Sequence, residues 1–326
     1  MAKSTQKTYR NQVMYSVFVR NHSEEGTFEG VRRDLERIKN LGVDIIWLMP
    51  IHPIGKTARK GTLGSPYAIQ DYMKVNPVFN HTSPDSWLAE HHPEWFYRKP
   101  DGSFGNKVGE WADVIDLDYS HPELWDYLIG VLCYWAQLVD GFRCDVAPLI
   151  PLDFWLRARD AVEDIRPGCI WLSESVEPIF TVENRARHLT SLSDSEIFQA
   201  FDISYEYDIY GFFMGYLAGK IPLSRYAESI NQQEAIYPDN YVKLRFLENH
   251  DRSRAAFIIQ DRQMLLNWTA FLCFQKGMTL IYAGQEAGCA HLPSLFDRDP
   301  VDWKSGRTDL SGLLKQMAAV RKNPLL

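Results

Sequence analysis

The sequence predicts an α/β fold of parallel strands, short of one unit for an ordinary closed barrel. Three observations carry that reading. A short β-branched run, a loop and an amphipathic helix recur along the 326 residues, the alternation typical of parallel sheets. Candidate strands start at 13, 43, 141, 169, 201, 243 and 278, so every step lies between 28 and 42 residues except one of 98. Carboxylates stand just past three of these strands, and a parallel barrel gathers all its strand C-termini at one mouth.

The predicted strands are Val13–Val19, Val43–Met49, Gly141–Val146, Cys169–Glu174, Phe201–Tyr205, Lys243–Asn249 and Met278–Ala283. The predicted helices include Phe28–Leu41, Glu123–Val139, Leu152–Ile165, Leu223–Glu234, Arg262–Gln275 and Leu310–Arg321, each with apolar residues three and four apart. Seven strands do not close an eight-stranded barrel. Part of the long step is a loop, Pro84 to Ile115, rich in Trp, His, Gly and Asp. It reads as a short inserted subdomain, at about 84–115, within one barrel domain spanning 1–326. The candidate for a further strand is Met73–Phe79, and Pro77 inside it disfavours an interior strand.

Composition narrows the function. Hydrophobic residues at 45% and charged residues at 24% exclude disordered and fibrous classes. A net charge of −7 argues against a nucleic-acid partner, which needs a basic stripe. Leu128 to Val139, the most apolar stretch, is too short to span a bilayer. Cys133, Cys144, Cys169, Cys273 and Cys289 are odd in number and form no C-x-x-C pair. The first residues, MAKSTQKTYRNQ, lack the apolar core of a signal peptide. The expected compartment is the cytoplasm. Ten Trp, sixteen Tyr and seventeen Phe supply flat apolar faces that suit sugar rings as well as a core.

Asp145 stands in GFRCDVAP, Glu174 in IWLSESVEP and Asp251 in RFLENHDRSR. A lone Asp after a strand is more often a cap or loop residue. Three carboxylates at one rim with Arg143, Arg254 and His250 are costly as structure alone. Such a set suits acetal cleavage: one carboxylate attacks the anomeric carbon, one of raised pKa protonates the leaving oxygen, and a third stabilises charge on the ring. A neighbouring Arg keeps the nucleophile ionised.

These residues resemble the catalytic barrel of the α-amylase family of glycoside hydrolases and transglycosylases, a (β/α)8 TIM-type fold. The resemblance implies Asp145 as nucleophile with Arg143 as its charge partner, Glu174 as acid/base, Asp251 as stabiliser and His250 as a hydroxyl ligand. MTLIYAGQEAG resembles the family's last-strand motif, with Thr279 where Pro is usual. GSPYAIQDY resembles the segment whose Tyr stacks on the sugar, here Tyr67, supported by Asp71; Asn80-His81 resembles the end of the third-strand motif. Arg254 is counted with the substrate-binding set. The match covers about residues 12 to 324.

Two departures stand out. Asn76 occupies the place of the Asp that opens the third-strand motif, and no helix or strand separates Asp71 from Asn80. The chain passes from the entry of a barrel unit to its exit, as though roughly thirty residues, the second helix and third strand, were absent. The family's C-terminal β-sandwich is also expected to be absent, the chain stopping at Leu326. Two structures fit the first departure: a break at Phe79–Asn80, wider than a ~3.8 Å Cα step, or a distorted seven-stranded barrel. The break is the expected one, because Tyr67, His81, Asp145, Glu174 and Asp251 read as an intact site.

Other motifs fail. PIHPIGKT resembles a phosphate loop, but its first Gly is Pro50 and Gly61, Gly64 and Pro66 prevent the helix that would hold phosphate. His91, His92 and Glu94 lack metal-ligand spacing and belong to a surface or substrate loop. Trp47, Trp135, Trp155 and Trp171 read as core; Trp87, Trp95 and Trp111 read equally as core or sugar platforms. The expected function is a retaining enzyme acting on α-glucosidic bonds of malto-oligosaccharides or related α-glucans by hydrolysis or transglycosylation. Pro148-Leu149 replaces the Lys-His common in starch-cleaving members and favours short substrates. No cofactor is expected; calcium is conceivable at the third-strand Asn, and Asn76 in place of Asp weakens it. The alternative is a non-catalytic or defective barrel that lacks one unit.

Overall fold

The computed structural model describes residues 5–56, 58–76, 87–108, 111 and 113–323. Among them are seven strands: β1 (Val13–Val17), β2 (Ile45–Leu48), β3 (Gly141–Cys144), β4 (Ile170–Ser173), β5 (Ile203–Tyr205), β6 (Val242–Arg245) and β7 (Met278–Tyr282). All pairings are parallel, in the order β2-β1-β7-β6-β5-β4-β3. This is a nearly closed barrel wall that stops at β2 on one side and β3 on the other. The gap falls where the sequence spacing places the absent unit, and the expected break at Phe79–Asn80 lies outside the described residues. Phe79, Asn80 and His81 lie outside the described residues, as do residues 77–79 of the Met73–Phe79 candidate; its residues 73–76 form no strand.

The helices are α1 (Val19–His22), α2 (Phe28–Asn40), α3 (Trp87–His91), α4 (Pro122–Ala136), α5 (Leu152–Ile165), α6 (Pro178–Ala186), α7 (Asp194–Ile197), α8 (Tyr207–Leu217), α9 (Leu223–Ile236), α10 (Ala255–Ile258), α11 (Arg262–Phe274) and α12 (Ser311–Arg321). Their ends follow local chemistry. Thr27 caps α2 by accepting from Gly30 N–H, and Asp261 caps α11 by accepting from Met264 N–H. None of these helices is long and apolar enough to cross a membrane. Residues 87–117 hold α3, a single 3-10 turn and two bridges, Phe96 with Leu117 and Arg98 with Phe104.

Alternation along each strand decides what faces the barrel axis. Trp47, Arg143 and Tyr205 meet across the interior, so their register partners Ser16, Leu172 and Leu244 also point inward. Tyr15, Trp171 and Ile281 point outward and are covered by helices, each no more than 1% exposed. On β2 the outward residues differ: Ile46 is 37% and Leu48 36% exposed. They lack the helical cover that a further unit would give. At the mouth the segment after β2 reaches over to α4, where Trp135 donates to Tyr72 O at 2.7 Å and meets the edge of His52.

Candidate active site

Arg143 on β3 is the centre of the site. Its side chain is buried, one Nη pairs with Asp145 Oδ1, and the other lies 3.0 Å from Glu174 Oε1. The guanidinium stands 5.2 Å from the ring centres of Trp47 and Tyr67 and 5.6 Å from that of Tyr205. An always-charged group in an aromatic box, held by two carboxylates, is a fixed positive charge at the end of the barrel.

Asp145 and Glu174 share this cation and differ in exposure. Asp145 is 45% exposed at the mouth, whereas Glu174 is only 11% exposed. Burial, together with the negative charges of Asp145 and Asp251, pushes the Glu174 carboxyl up to about 8, against the opposing pull of Arg143. Glu174 Oε2 accepts from Val146 N–H at 2.9 Å. Val146, directly after Asp145, has φ +40° and ψ +41°. A β-branched residue in the left-handed region is strained by about 1–3 kcal/mol. Here the strain turns an N–H toward the neighbouring carboxyl.

Asp251 follows β6 and is the third carboxylate. Its N–H donates to Asn249 Oδ1, and Asn249 Nδ2 donates to Tyr207 Oη, each at 2.9 Å. Burial disfavours its charge, but His250, Arg143 and Arg252 outweigh burial and hold it below the usual carboxylate range. His250 Nε2 lies 2.9 Å from Asp251 Oδ2 and 2.7 Å from Tyr67 Oη, with the Tyr67 ring stacked on the imidazole. Asp145, Glu174, Asp251, Arg143, Tyr67 and His250 therefore converge. One carboxyl is kept protonated near neutrality beside an exposed carboxylate, the pairing that acid-assisted displacement needs.

Two expected ligands are placed elsewhere. Arg254 is fully buried; its nitrogens go to Glu248, His291 O and Ala283 O. It holds the loops after β6 and β7 together and has no group free for substrate. Asp71 accepts from Met73 N–H and pairs with Lys74, so it braces its own turn rather than Tyr67. His250 is 1% exposed, and a substrate hydroxyl reaches Nε2 only by replacing Tyr67 or Asp251 there. His81 lies outside the described residues. So does Asn80; Asn76 brings no charge, and among the described residues no three His, Cys, Asp or Glu stand together as metal ligands.

Sequence reading missed Trp47 as a wall of the site, although it was correctly read as buried. It also missed Tyr205, Tyr207, Val146 and the ion pair of Glu177 with Arg252. Position was the available signal: each lies within two residues of a strand's last residue or within three residues of a candidate carboxylate. Trp95 is core and stacks on His92.

Comparison with known proteins agrees with this geometry. The family model described as alpha amylase, catalytic domain, matches residues 5–92 and 80–320, two stretches that overlap beside the interrupted unit. A crystal structure of an α-amylase from Lactobacillus plantarum is 48% identical, with a TM-score of 0.95, over 98% of this chain and 82% of that one. A noncanonic maltogenic α-amylase from Thermotoga neapolitana is 36% identical, with a TM-score of 0.83, over 96% and 76%. An α-1,4-glucan:maltose-1-phosphate maltosyltransferase from Myxococcus xanthus is 31% identical over 51% of this chain and 32% of its own length. This chain spans 21–33% of the length of that enzyme and two others of the same name. The match of family model and structure across nearly the whole chain leaves one conclusion: the protein belongs to the α-amylase catalytic-domain family.

Proposed function

We propose that the protein cleaves α-glucosidic bonds of malto-oligosaccharides or related short α-glucans with retention of configuration. The carrying observation is that one guanidinium, Arg143, touches both Asp145 and Glu174 while only Glu174 is buried and raised to about 8. A shared cation keeps the carboxyls close, as a retaining mechanism requires at about 5–5.5 Å. In this reading Asp145, paired with Arg143, attacks the anomeric carbon. Glu174 gives its proton to the glycosidic oxygen, and the leaving sugar departs. Asp251 stabilises positive charge on the ring, and Tyr67 offers the sugar its face. Glu174 then takes a proton from water or from an acceptor hydroxyl, which displaces Asp145. The route uses side chains alone and needs no cofactor.

The relatives named for α-amylase and for maltosyl transfer support both outcomes of the second step. Five free cysteines favour the cytoplasm. The test is NMR of the first product released from maltoheptaose, together with Asp145→Asn. Retained configuration and a loss of several orders of magnitude in turnover, with oligosaccharide binding kept, are expected. Inverted product removes Asp145 from the nucleophile role.

A further inference from the structure

Glu174 and Asp251 stand after β4 and β6, two strands separated in the sheet by β5. Inside the mouth Arg143 pairs with Glu174 and its charge is also felt by Asp251. A second tie joins the same loops from outside: Arg252, next in the chain to Asp251, pairs through Nη2 with Glu177, three residues past Glu174. Glu177 is the N-cap residue of α6, so this end is anchored where a helix begins. Arg252 lies 4.5 Å from the ring centre of Tyr207 and 5.1 Å from that of Tyr210, both on α8, which follows β5. The tie therefore crosses the end of β5 on an aromatic floor. Tyr207 Oη also receives the hydrogen bond from Asn249, two residues before Asp251. At 30% and 42% exposure, an ion pair adds little to stability, so its value lies in where it stands.

We propose that Glu177 and Arg252 are a positioning pair that fixes the separation of Glu174 and Asp251 across the mouth. This rests on the roles given to those two carboxylates above. Glu174 is faced by Arg143 and Asp145 from β3 and the turn after it, by Asp251 from the loop after β6, where His250 pairs with Asp251, and by Tyr205 and Tyr207 from β5 and α8. When the tie opens, Asp251 draws away and water enters. Both changes favour the ionised form of Glu174, so less acid is present at neutral pH and the proton is delivered from a poorer position.

The test uses the full chain with Glu177→Gln, Arg252→Gln and Arg252→Lys, assayed on maltoheptaose and on an aryl α-maltoside. Glu177→Gln and Arg252→Gln should each lower kcat on maltoheptaose about tenfold, with KM within about twofold and a smaller loss on the aryl substrate. In both, the basic limb of kcat/KM should move to lower pH; Arg252→Lys should restore most of both effects. Charge acting through space predicts otherwise. Losing the anion at 177 would move the limb down, and losing the cation at 252 would move it up. Opposite movements, or an unmoved limb with an active parent, overturn the proposal. If circular dichroism shows Arg252→Gln unfolded, Glu177→Asp, which keeps the charge but shortens the reach, takes its place: a lowered kcat and a lowered limb support the tie, and an unmoved limb overturns it. A parent inactive on every α-glucoside defeats the functional reading itself, whereas an active parent with unmoved variants defeats only this inference.

Discussion

Glu174 shows how one residue couples folding to chemistry. Its folded pKa stands near 8, above the ordinary glutamate value. The folded protein thus binds this proton more tightly than the unfolded chain, and the resulting stabilisation is full below the unfolded pKa. It is lost as pH rises through about 8. Glu174→Gln removes the titration. Its melting temperature relative to the parent should climb across that window and level off above it, as thermal denaturation at several pH values would show. A constant offset would mean that Glu174 is not held protonated. The same variant should lose far more activity on oligosaccharides than on aryl glycosides, which need little protonation. The sequence could place this carboxyl at a strand end. It could not show that Val146 would adopt a left-handed φ to bind it, because that depends on the distance between β3 and β4.

At the scale of elements, hydrophobic periodicity located all seven described strands, ended β5 correctly at Tyr205 and overran the C-terminal ends of the other six. The predicted strand Lys243–Asn249 ends in the structure at Arg245, where Phe246 N–H turns to the Glu206 carboxylate. An apolar run records burial, not the point at which a partner strand stops. Helices α6 and α8 went unread: α6 is short, and α8, YDIYGFFMGYL, is apolar on most sides and contains two glycines. Charge in a strand was harder still to interpret. Lys243 and Arg245 point outward from β6 yet are fully buried under the helices. Lys243 Nζ lies 2.5 Å from Asp194 and 3.0 Å from Asp208, while Arg245 binds Glu206 and Gln233. Breaking such a pair strands a buried charge. Lys243→Met should cost about 3–5 kcal/mol in denaturant unfolding, and adding Asp194→Asn and Asp208→Asn should recover most of it. If the triple variant is no more stable than the single one, the network is not what binds α7 and α8 to β6.

For the whole molecule, the interrupted wall is the dominant fact, and strand spacing alone had located it. Among the described residues no strand pairs with the outer edges of β2 and β3, and Ile46 and Leu48 are more than a third exposed, features that invite aggregation. Against a net stability of about 5–15 kcal/mol, one helix and strand are a large share of a barrel's core. The active-site residues come from both sides of the interruption: Tyr67 and Trp47 follow or belong to β2, whereas Arg143 and Asp145 belong to or follow β3. Among the described residues no strand stands between them in the wall, and they meet around one guanidinium. Hydrogen exchange should therefore be fastest, among strand amides, on β2 and β3, and slowest on β7 and β6 in the middle of the sheet. Leu48→Lys, at an exposed outward position, should reduce aggregation and leave the melting temperature within about 2 °C. Inserting a helix–strand segment of roughly thirty residues between Phe79 and Asn80 should slow exchange on β2 and β3 and raise both stability and turnover. If the inserted chain exchanges as fast at β2 and β3 as the parent, the two edges are not held apart by one missing strand, and the barrel has settled into a different closure.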